Sequence, residues 1–429
     1  MMEFLQDNAV IVLFITFALL LVMRVPIGIS LGISSIVGLV LIDFNIRTIP
    51  HNMFSAVDSV ILMAIPGFIF AGLIMAKGGI SYHLIEALKS WVGHIKGGLA
   101  VVTILACMIF AAISGSSPAT AAAVGSIMIP AMIDAGYSKK YAMGLIAAGG
   151  TLGILIPPSI ALIIYGSITE QSISDLFIAG VIPGILLGLM LIIFAIIYAR
   201  KHNLGGLEKA TWDTRRKMSI KAIWGFFLPV IIIGGIYMGA VTPTEASIVA
   251  VFYSIIISVF IYKEMNMEKF IEIVKESINT TAMIFLIIAS ALIFSTFLTI
   301  EQVPQFFSEW IADNSANKWI FIIGVNVLFF ILGMFLEAVA IILITLPILL
   351  PALLFFDINL IHFAIIMTIN MELAMITPPV GLNLFVVSGI AKERLGTVVR
   401  GVIPFFIIMV ICLILVIFIP EISLLLVDK

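Results

Sequence analysis

Two apolar stretches of the chain are interrupted by small and oxygen-bearing residues of the kind that bind cations in membranes. The interruptions are residues 114–120 (Ser-Gly-Ser-Ser-Pro-Ala-Thr) and residues 149–158 (Gly-Gly-Thr-Leu-Gly-Ile-Leu-Ile-Pro-Pro). A broken helix survives in hydrocarbon only where protein or a watery cavity pairs its freed backbone groups. Hydroxyl and carbonyl oxygens are the ligands that a hard cation such as sodium prefers. The alternative is a pair of helices packed through small residues, without an ion.

These interruptions predict a first sodium site and the positions of the helix breaks that form it. The predicted ligands are Ser114, Gly115, Ser116, Gly149, Thr151 and Gly153. The breaks are enforced by Pro118, Pro157 and Pro158, which have no role as ligands.

A second copy of this arrangement lies 221 residues further along the chain. Pro157-Pro158 recurs as Pro378-Pro379, since 378 − 157 = 221, and the same offset relates Pro130 to Pro351 and residues 180–183 to residues 401–404. The loop that follows the first interrupted helix is acidic, whereas its counterpart at 391–400 is basic. The two copies are therefore predicted to lie inverted in the membrane, as the repeats of secondary transporters do.

The offset also predicts a second site. Ser116 corresponds to Glu337 and Thr151 to Glu372, and these are the only acids in their apolar surroundings. An intramembrane carboxylate is costly and indicates function, although a cap at a helix start is the alternative for both residues. The predicted ligands of a second sodium ion are Gly333, Glu337, Asn370, Thr377 and Gly381, beside a break enforced by Pro378 and Pro379.

The composition indicates the elements that must hold these sites. The 429 residues are 62% hydrophobic and 11% charged, against about 25% charged residues in a soluble domain. An all-α polytopic protein embedded in a lipid bilayer is predicted, with two re-entrant hairpins and two broken helices. The net charge of −2 says little about partners, and a nucleic-acid partner is not expected. Cys107 and Cys412 lie in apolar runs, which argues against a disulfide framework.

We divide the chain into five segments. These are N-terminal scaffold helices at 1–58, a first repeat with hairpin and broken helix at 59–183, further scaffold helices at 184–279, a second repeat at 280–404 and a last helix at 405–429. Residues 43–58 are expected to be a polar loop, and residues 263–279 a helix on the cytoplasmic surface. The loop at 200–221 is the most basic and is predicted to be cytoplasmic. Counting spans from it places both termini outside.

Enzymatic activity is not indicated. A serine within residues 114–116 would need a base within reach to act in proteolysis, but the histidines (51, 83, 94, 202 and 362) lie in or beside predicted loops. The sequence contains no glycine-rich phosphate loop followed by Lys-Ser or Lys-Thr, so direct use of ATP is not predicted.

With these motifs in view, the chain resembles the large membrane subunit of the tripartite ATP-independent periplasmic (TRAP) transporters. The resemblance rests on residues 114–125 (Ser-Gly-Ser-Ser-Pro-Ala-Thr-Ala-Ala-Ala-Val-Gly), 149–159 and 333–337 (Gly-Met-Phe-Leu-Glu). It implies an elevator-type importer in a bacterial inner membrane, driven by two or more sodium ions. In such a membrane the outside termini predicted by the count of spans would be periplasmic. It also implies two partners, a small four-helix membrane subunit and a periplasmic substrate-binding protein.

The resemblance implies a small organic acid as substrate, with sialic acid expected first and a C4-dicarboxylate second. Its carboxylate would lie between the two hairpin tips, where the predicted contacts are Ser116, Ser117, Thr120, Glu337 and Asn383. Two alternatives remain open. One is a sodium/carboxylate symporter that needs no binding protein, and the other is a membrane scaffold or receptor that does not transport.

Overall fold

The computed structural model describes residues 8–204, 206–313 and 317–427, and most of them are helical. The chain begins with two apolar helices and a short polar segment, which are α1 (Ala9–Val22), α2 (Ile27–Leu41), the 3₁₀ helix Ile46–Thr48 and α3 (Ile49–Val57). Residues 8–58 are therefore largely helical. The ends of the chain, whose side of the membrane is predicted above, lie outside the described residues.

The next helices contain the first hairpin and the first interrupted helix. They are α4 (Ala64–Lys77), α5 (Ile80–Val92), α6 (Gly98–Ser114), α7 (Ser117–Asp134), α8 (Lys139–Thr151), the 3₁₀ helix Leu152–Ile154, α9 (Ile160–Thr169) and α10 (Ile173–Lys201). The hairpin break is only two residues wide, at 115–116. The break in the first interrupted helix begins after residue 151. Residues 149–151, which were expected within this break, therefore remain helical.

Four helices follow, and then the second hairpin and second interrupted helix. The four are α11 (Trp212–Tyr237), α12 (Pro243–Ile256, continued by a π-helical turn, Ile257–Ile261), α13 (Met267–Ile300) and α14 (Val303–Asp313). The rest are α15 (Lys318–Gly333), α16 (Ala338–Phe355), α17 (Leu360–Met375), α18 (Leu382–Ala391), α19 (Leu395–Phe418) and α20 (Glu421–Leu424).

Six helices in the described part of the chain are long and apolar enough to cross a membrane: α10, α11, α12 with its π-helical turn, α13, α16 and α19. A seventh candidate span is formed by α4 and α5 together, which meet at an angle of 59°. Both halves of each interrupted helix and two of the four hairpin arms, α6 and α15, are shorter than this length, because the breaks divide them. The arm α7 has the same length as α16 but is not apolar enough to be counted. The prediction of an all-α, polytopic protein is confirmed.

The expected surface helix at 263–279 is not a separate element. Asn266 caps the start of α13 by accepting a hydrogen bond from the Lys269 amide at 2.8 Å, and the helix then continues for 34 residues. No glycine or proline interrupts it. At about 1.5 Å per residue it is roughly 51 Å long, which exceeds a hydrocarbon core of about 30 Å. Its charged first turns are thus rigidly joined to an apolar span.

The expected polar loop at 43–58 is also wrong in part, because it contains α3. Pro50 in the first turn of α3 has a fixed φ that suits a helix start and lacks the amide that would go unpaired there. Polar residues therefore mark the short helix as well as the turn before it. One buried residue, Ile49, holds the start of α3 against the core.

The two halves of the chain meet where α8 crosses α19, and backbone contacts backbone at the crossing. A β-carbon on Gly144 would collide with the Gly401 carbonyl, and one on Gly401 would collide with the carbonyl of Lys140. Small residues allow membrane helices to approach this closely and gain dispersion energy along their length. The crossing therefore fixes the first interrupted helix against the second half of the chain.

Replacing Gly144 with valine is expected to lower the thermal stability of the protein in detergent. Overpacking of a close contact costs about 1–3 kcal/mol, and here the obstacle is backbone, which has little room to yield. The matched control is Gly389→Val in α18, because a β-carbon there meets nothing within 4 Å. A Gly144→Val melting temperature equal to that of the control would contradict the close crossing.

Candidate functional site

The first hairpin tip places three oxygens close together. Gly115 adopts the left-handed conformation at φ 61° and turns the chain between α6 and α7. The hydroxyls of Ser114 and Thr120 lie 2.8 Å apart, and the Thr120 hydroxyl donates to the Ser116 carbonyl at 2.9 Å. Two hydroxyls and a carbonyl that converge in this way can serve as part of the oxygen shell of a hard cation.

The first helix break packs directly on this tip. A β-carbon on Gly153 would lie 2.5 Å from the Ser116 carbonyl oxygen and 2.7 Å from the Thr120 hydroxyl. On the other side of the break, the Ile160 amide donates to the Gly115 carbonyl at 3.4 Å. Only a residue without a side chain can let the break approach so closely. The tip and the break thus form one unit.

The structure brings together four of the six predicted ligands of the first sodium site: Ser114, Gly115, Ser116 and Gly153. The other two lie deeper, in the last turn of α8. The Thr151 hydroxyl donates to the Ala148 carbonyl of its own helix at 2.7 Å and is fully buried. Gly149 faces Cys107, whose sulfur would lie 3.1 Å from a β-carbon there. Thr120, predicted only as a substrate contact, belongs to the oxygen cluster at the tip.

The second hairpin tip and second break are packed in a similar way. The amides of Val380 and Gly381 both donate to the Met334 carbonyl, at 3.1 and 3.2 Å, and Gly381 has φ 55°. Gly333 faces Ala374, whose β-carbon would lie 2.5 Å from a β-carbon added to the glycine. Gly333 and Gly381, both predicted ligands of the second site, therefore join the second tip to the second break.

Glu337 begins α16 at this second tip. Its side chain accepts no hydrogen bond from the amides of the first turn, so the alternative of a simple helix cap does not describe this structure. The residue is half-buried and lines the large cavity described below. Its carboxylate is therefore directed toward the space between the two halves.

The remaining predicted members of the second site, Asn370 and Thr377, have hydrogen-bond partners on the helices. The Asn370 amide donates to the carbonyl and side-chain oxygens of Asn326 on α15, at 2.9 and 2.8 Å, and it lines a separate apolar cavity of about 540 Å³. Thr377 donates to the Leu373 carbonyl of the preceding turn at 2.7 Å. Asn370 thus joins the arm of the hairpin to α17 rather than facing the tip.

The two halves of the chain are connected at the site by one amide. The Asn383 side chain donates to the Ser117 hydroxyl at 2.7 Å and to the Ala147 carbonyl at 3.1 Å. Asn383 and Ser117 are both fully buried. These two residues were predicted as substrate contacts, and the structure instead joins them to each other across the interface of the halves.

A cavity of about 550 Å³ lies between the two hairpin tips. Its wall toward the tips includes Ser116, Ser117, Glu337 and the starts of α7 and α16, whose free amides favour an anion. Its opposite wall is formed by one face of α4 and one face of α13. A small carboxylate could lie here with helix starts on one side.

The wall from α13 contains residues that the sequence interpretation missed. Glu276, Thr280 and Met283 line the cavity at helical spacing, and Glu276 pairs with Lys77 at 2.6 Å, as Glu272 does at 2.7 Å. The sequence interpretation of 263–279 predicted only a helix on the cytoplasmic surface. The spacing 276, 280, 283 places all three residues on one face of α13. This helical spacing could have indicated that the face points inward.

This architecture is that of a polytopic, α-helical membrane protein. The structure matches the crystal structure of the YdaH transporter of Alcanivorax borkumensis with a TM-score of 0.63 at 13% identity, covering 86% of each chain. It matches Neisseria gonorrhoeae MtrF with a TM-score of 0.59 at 15% identity, covering 90% of this chain and 84% of that one. Identities this low show a shared fold only.

The chain belongs to the DctM component family of the tripartite ATP-independent periplasmic transporters, whose model matches residues 14–422. It is 44% identical over 396 residues to the C4-dicarboxylate TRAP transporter large permease protein DctM of Pseudomonas aeruginosa, covering 92% of this chain and 93% of that protein. It is 35% identical to the sialic acid large permease protein SiaM of Vibrio cholerae, covering 95% of this chain and 96% of that protein. The resemblance inferred from the motifs is confirmed, as is the prediction that the chain is not an enzyme.

Proposed function

We propose that the chain is the membrane permease of a sodium-driven importer of a small organic acid, with a C4-dicarboxylate as the first substrate to test. The observation that carries the proposal is the cavity between the hairpin tips. Ser116 of the first tip and Glu337 of the second tip both line it. The substrate order reverses the expectation from the sequence. It follows relatives at 44% and 41% identity that are named for C4-dicarboxylates, against 35% for those named for sialic acid.

Sodium is proposed to bind first at each unit of tip and break. At the first unit the Ser114 and Thr120 hydroxyls and the Ser116 carbonyl supply oxygens. At the second, Glu337 and the backbone around Gly333 and Gly381 supply them. Occupied sites would order both tips, and the substrate carboxylate would then bind at the helix starts between them. At a membrane potential of 100 mV each inward cation contributes about 2.3 kcal/mol.

An inverted repeat with elevator motion is the proposed mechanism, and the helix ends support the repeat. The offset of 221 found in the sequence relates the starts of α7 and α16 (117 and 338), their ends (134 and 355), and the starts of α8 and α17 (139 and 360). Each half thus supplies one hairpin and one interrupted helix. We propose that these move together along the wall formed by α4 and α13.

The partners follow from the tripartite family. We propose a small four-helix membrane subunit and a periplasmic binding protein that delivers the substrate, with the permease in the bacterial inner membrane and both termini periplasmic. One relative, the isethionate TRAP transporter permease protein DctMQ of Oleidesulfovibrio alaskensis, is 39% identical to this chain. The match covers 96% of this chain and 65% of that protein. The rest of that protein leaves room for a second subunit in the same polypeptide.

The deciding experiment measures uptake of labelled succinate and labelled sialic acid by proteoliposomes that hold the chain with its small subunit. An inward sodium gradient and the cognate binding protein are each supplied or omitted. Uptake of succinate that requires both supports the proposal. Uptake of either acid without the binding protein would favour the simple symporter, and binding without sodium-dependent flux would favour a receptor.

Within this proposal, Thr120→Val is expected to raise the sodium concentration that gives half-maximal uptake. Valine keeps the shape of threonine but leaves the Ser114 hydroxyl and the Ser116 carbonyl without this partner, which weakens the oxygen cluster. The matched control is Thr296→Val on α13, because the Thr296 hydroxyl donates only to the Leu292 carbonyl of its own helix. An unchanged sodium dependence in Thr120→Val would remove the cluster from the first sodium site.

A further inference from the structure

The first turns of α11 carry cations that the proposed transport function does not use. They belong to the basic loop that the sequence predicts to be cytoplasmic. Residues 206–221 contain two acids, Glu208 and Asp213, and five cations: Lys209, Arg215, Arg216, Lys217 and Lys221. From residue 222 to the end of α11 at Tyr237 no residue is charged. The positive charge therefore lies at the border of the hydrocarbon, where lipid headgroups begin.

Contacts with the neighbouring helices hold this part of α11 in one orientation. Arg215 donates through Nε to the Ser90 carbonyl of α5 at 3.1 Å, and its guanidinium carbon lies 5.4 Å from the centre of the Trp91 ring. The Trp91 indole in turn donates to the Ser219 hydroxyl at 2.8 Å. From α12, the Tyr253 hydroxyl donates to a backbone carbonyl of α11 at 2.7 Å. Arg215 is thus engaged within the protein, and the opposite side of α11 faces outward.

The outward side of α11 combines two free cations with an apolar stripe. The stripe has the i, i+3, i+4, i+7 spacing of one helix face, and its members are 39% to 57% exposed: Ile220, Ile223, Trp224 and Phe227. Arg216 and Lys217 lie four and three residues before Ile220, so they stand one turn before the stripe on the same face. Both are exposed. Among the described residues, neither side chain has an ion-pair partner.

These two features match the two parts of a phospholipid that carries a net negative charge. A phosphate can accept charge-assisted hydrogen bonds from a guanidinium and an ammonium group, and an acyl chain can cover the exposed stripe. Trp224 lies eight residues, or about 12 Å, further along the helix than Arg216. That is the depth just below the headgroups where tryptophan is common.

The charge of the face selects among lipids. A zwitterionic lipid would cover the stripe equally well but would bring its own cation beside Arg216 and Lys217. The nearest acid before them on α11 is Asp213, four residues before Lys217, and five cations against two acids leave the segment positive. Clusters of cations next to a membrane helix attract anionic lipids, with roughly a fivefold gain in affinity for each cation.

We infer that this face of α11 is a binding site for an anionic phospholipid of the leaflet that the basic loop faces. The phosphate lies between Arg216 and Lys217, and one acyl chain lies along the stripe from Ile220 to Phe227. With two cations at the phosphate, the site prefers an anionic over a zwitterionic phospholipid by roughly 5- to 25-fold. This binding does not depend on the proposed transport function.

The experiment is quenching of tryptophan fluorescence by lipids brominated on their acyl chains. The full chain with its small subunit is placed in phosphatidylcholine vesicles that contain brominated phosphatidylglycerol or, at equal mole fraction, brominated phosphatidylcholine. Stronger quenching by the anionic lipid is expected, and Trp224→Phe should decrease that difference. Equal quenching by both lipids in the wild type, or an undiminished difference in Trp224→Phe, would overturn the site. Shielding of Trp224 from both lipids would also overturn it, because the small subunit would then cover this face.

The two cations are tested by the double variant Arg216→Gln/Lys217→Gln. It should lose the preference for phosphatidylglycerol, while its quenching by brominated phosphatidylcholine stays as in the wild type. The matched control is Lys392→Gln/Arg394→Gln, which removes one exposed lysine and one exposed arginine from the turn between α18 and α19. The control should keep the preference. A preference that survives in the first double variant, or that is lost equally in the control, would show that no specific site lies on α11.

Discussion

Gly153→Ala is expected to abolish most sodium-driven uptake while the protein still folds. The added methyl group would lie 2.5 Å from the Ser116 carbonyl oxygen and 2.7 Å from the Thr120 hydroxyl, so the break would have to move away from the first tip. Such overpacking costs about 1–3 kcal/mol. If that cost falls on the ion-bound form, sodium affinity decreases roughly 5- to 150-fold.

The measurement is the sodium dependence of uptake in proteoliposomes, together with the melting temperature in detergent. Gly324→Ala is the matched control, because Gly324 lies inside α15 and a β-carbon there meets nothing within 4 Å. The control should keep wild-type uptake and sodium dependence. A Gly153→Ala protein that transports at wild-type sodium concentrations would show that the close contact of break and tip is unnecessary for ion binding.

The second large effect is expected for Asn383→Asp. The substitution replaces the amide that donates to Ser117 and Ala147 with a carboxylate oxygen, to which the Ser117 hydroxyl can turn and donate but which repels the Ala147 carbonyl. The lost hydrogen bond to Ala147 costs about 1 kcal/mol, and burial of the new acid adds to this. Because the amide joins the two halves of the chain, both the melting temperature and uptake are expected to decrease sharply.

The control for this change is Asn359→Asp at the start of α17. The Asn359 side chain only accepts hydrogen bonds there, from the amides of Ile361 and His362 at 2.9 and 3.0 Å, and an aspartate accepts equally well. Its stability and uptake should match the wild type. If Asn383→Asp behaved like this control, the two halves would not depend on their shared amide.

The hairpins and breaks could be predicted from the sequence because the signal is local. Small residues and prolines inside an apolar run are incompatible with a continuous membrane helix, and the interruption predicted at 114–120 contains the turn between α6 and α7. The length of α13 was missed for a related reason. The charges at 263–279 were taken to separate a surface helix from the span, although charge alone does not end a helix that lacks glycine and proline.

The contacts that build the site could be predicted only in part. Ser117 and Asn383 are 266 residues apart, and nothing in either local sequence indicates that they bond to each other rather than to a ligand. Asn370 was predicted as an ion ligand, and its local sequence does not indicate that its side-chain amide donates to Asn326 on α15. The cluster of Ser114, Ser116 and Thr120 was accessible to prediction because all three residues belong to one short turn.

The crossing of Gly144 and Gly401 also bears on how this protein can evolve. Each residue lies against the backbone of the opposite half, so neither position can accept any side chain while the other half stays in place. Substitution by alanine or serine is therefore excluded at both positions, because either residue would add a β-carbon. The two halves can diverge freely in their loops and in their lipid-facing surfaces, yet they must keep this pair of glycines for as long as the helices cross here.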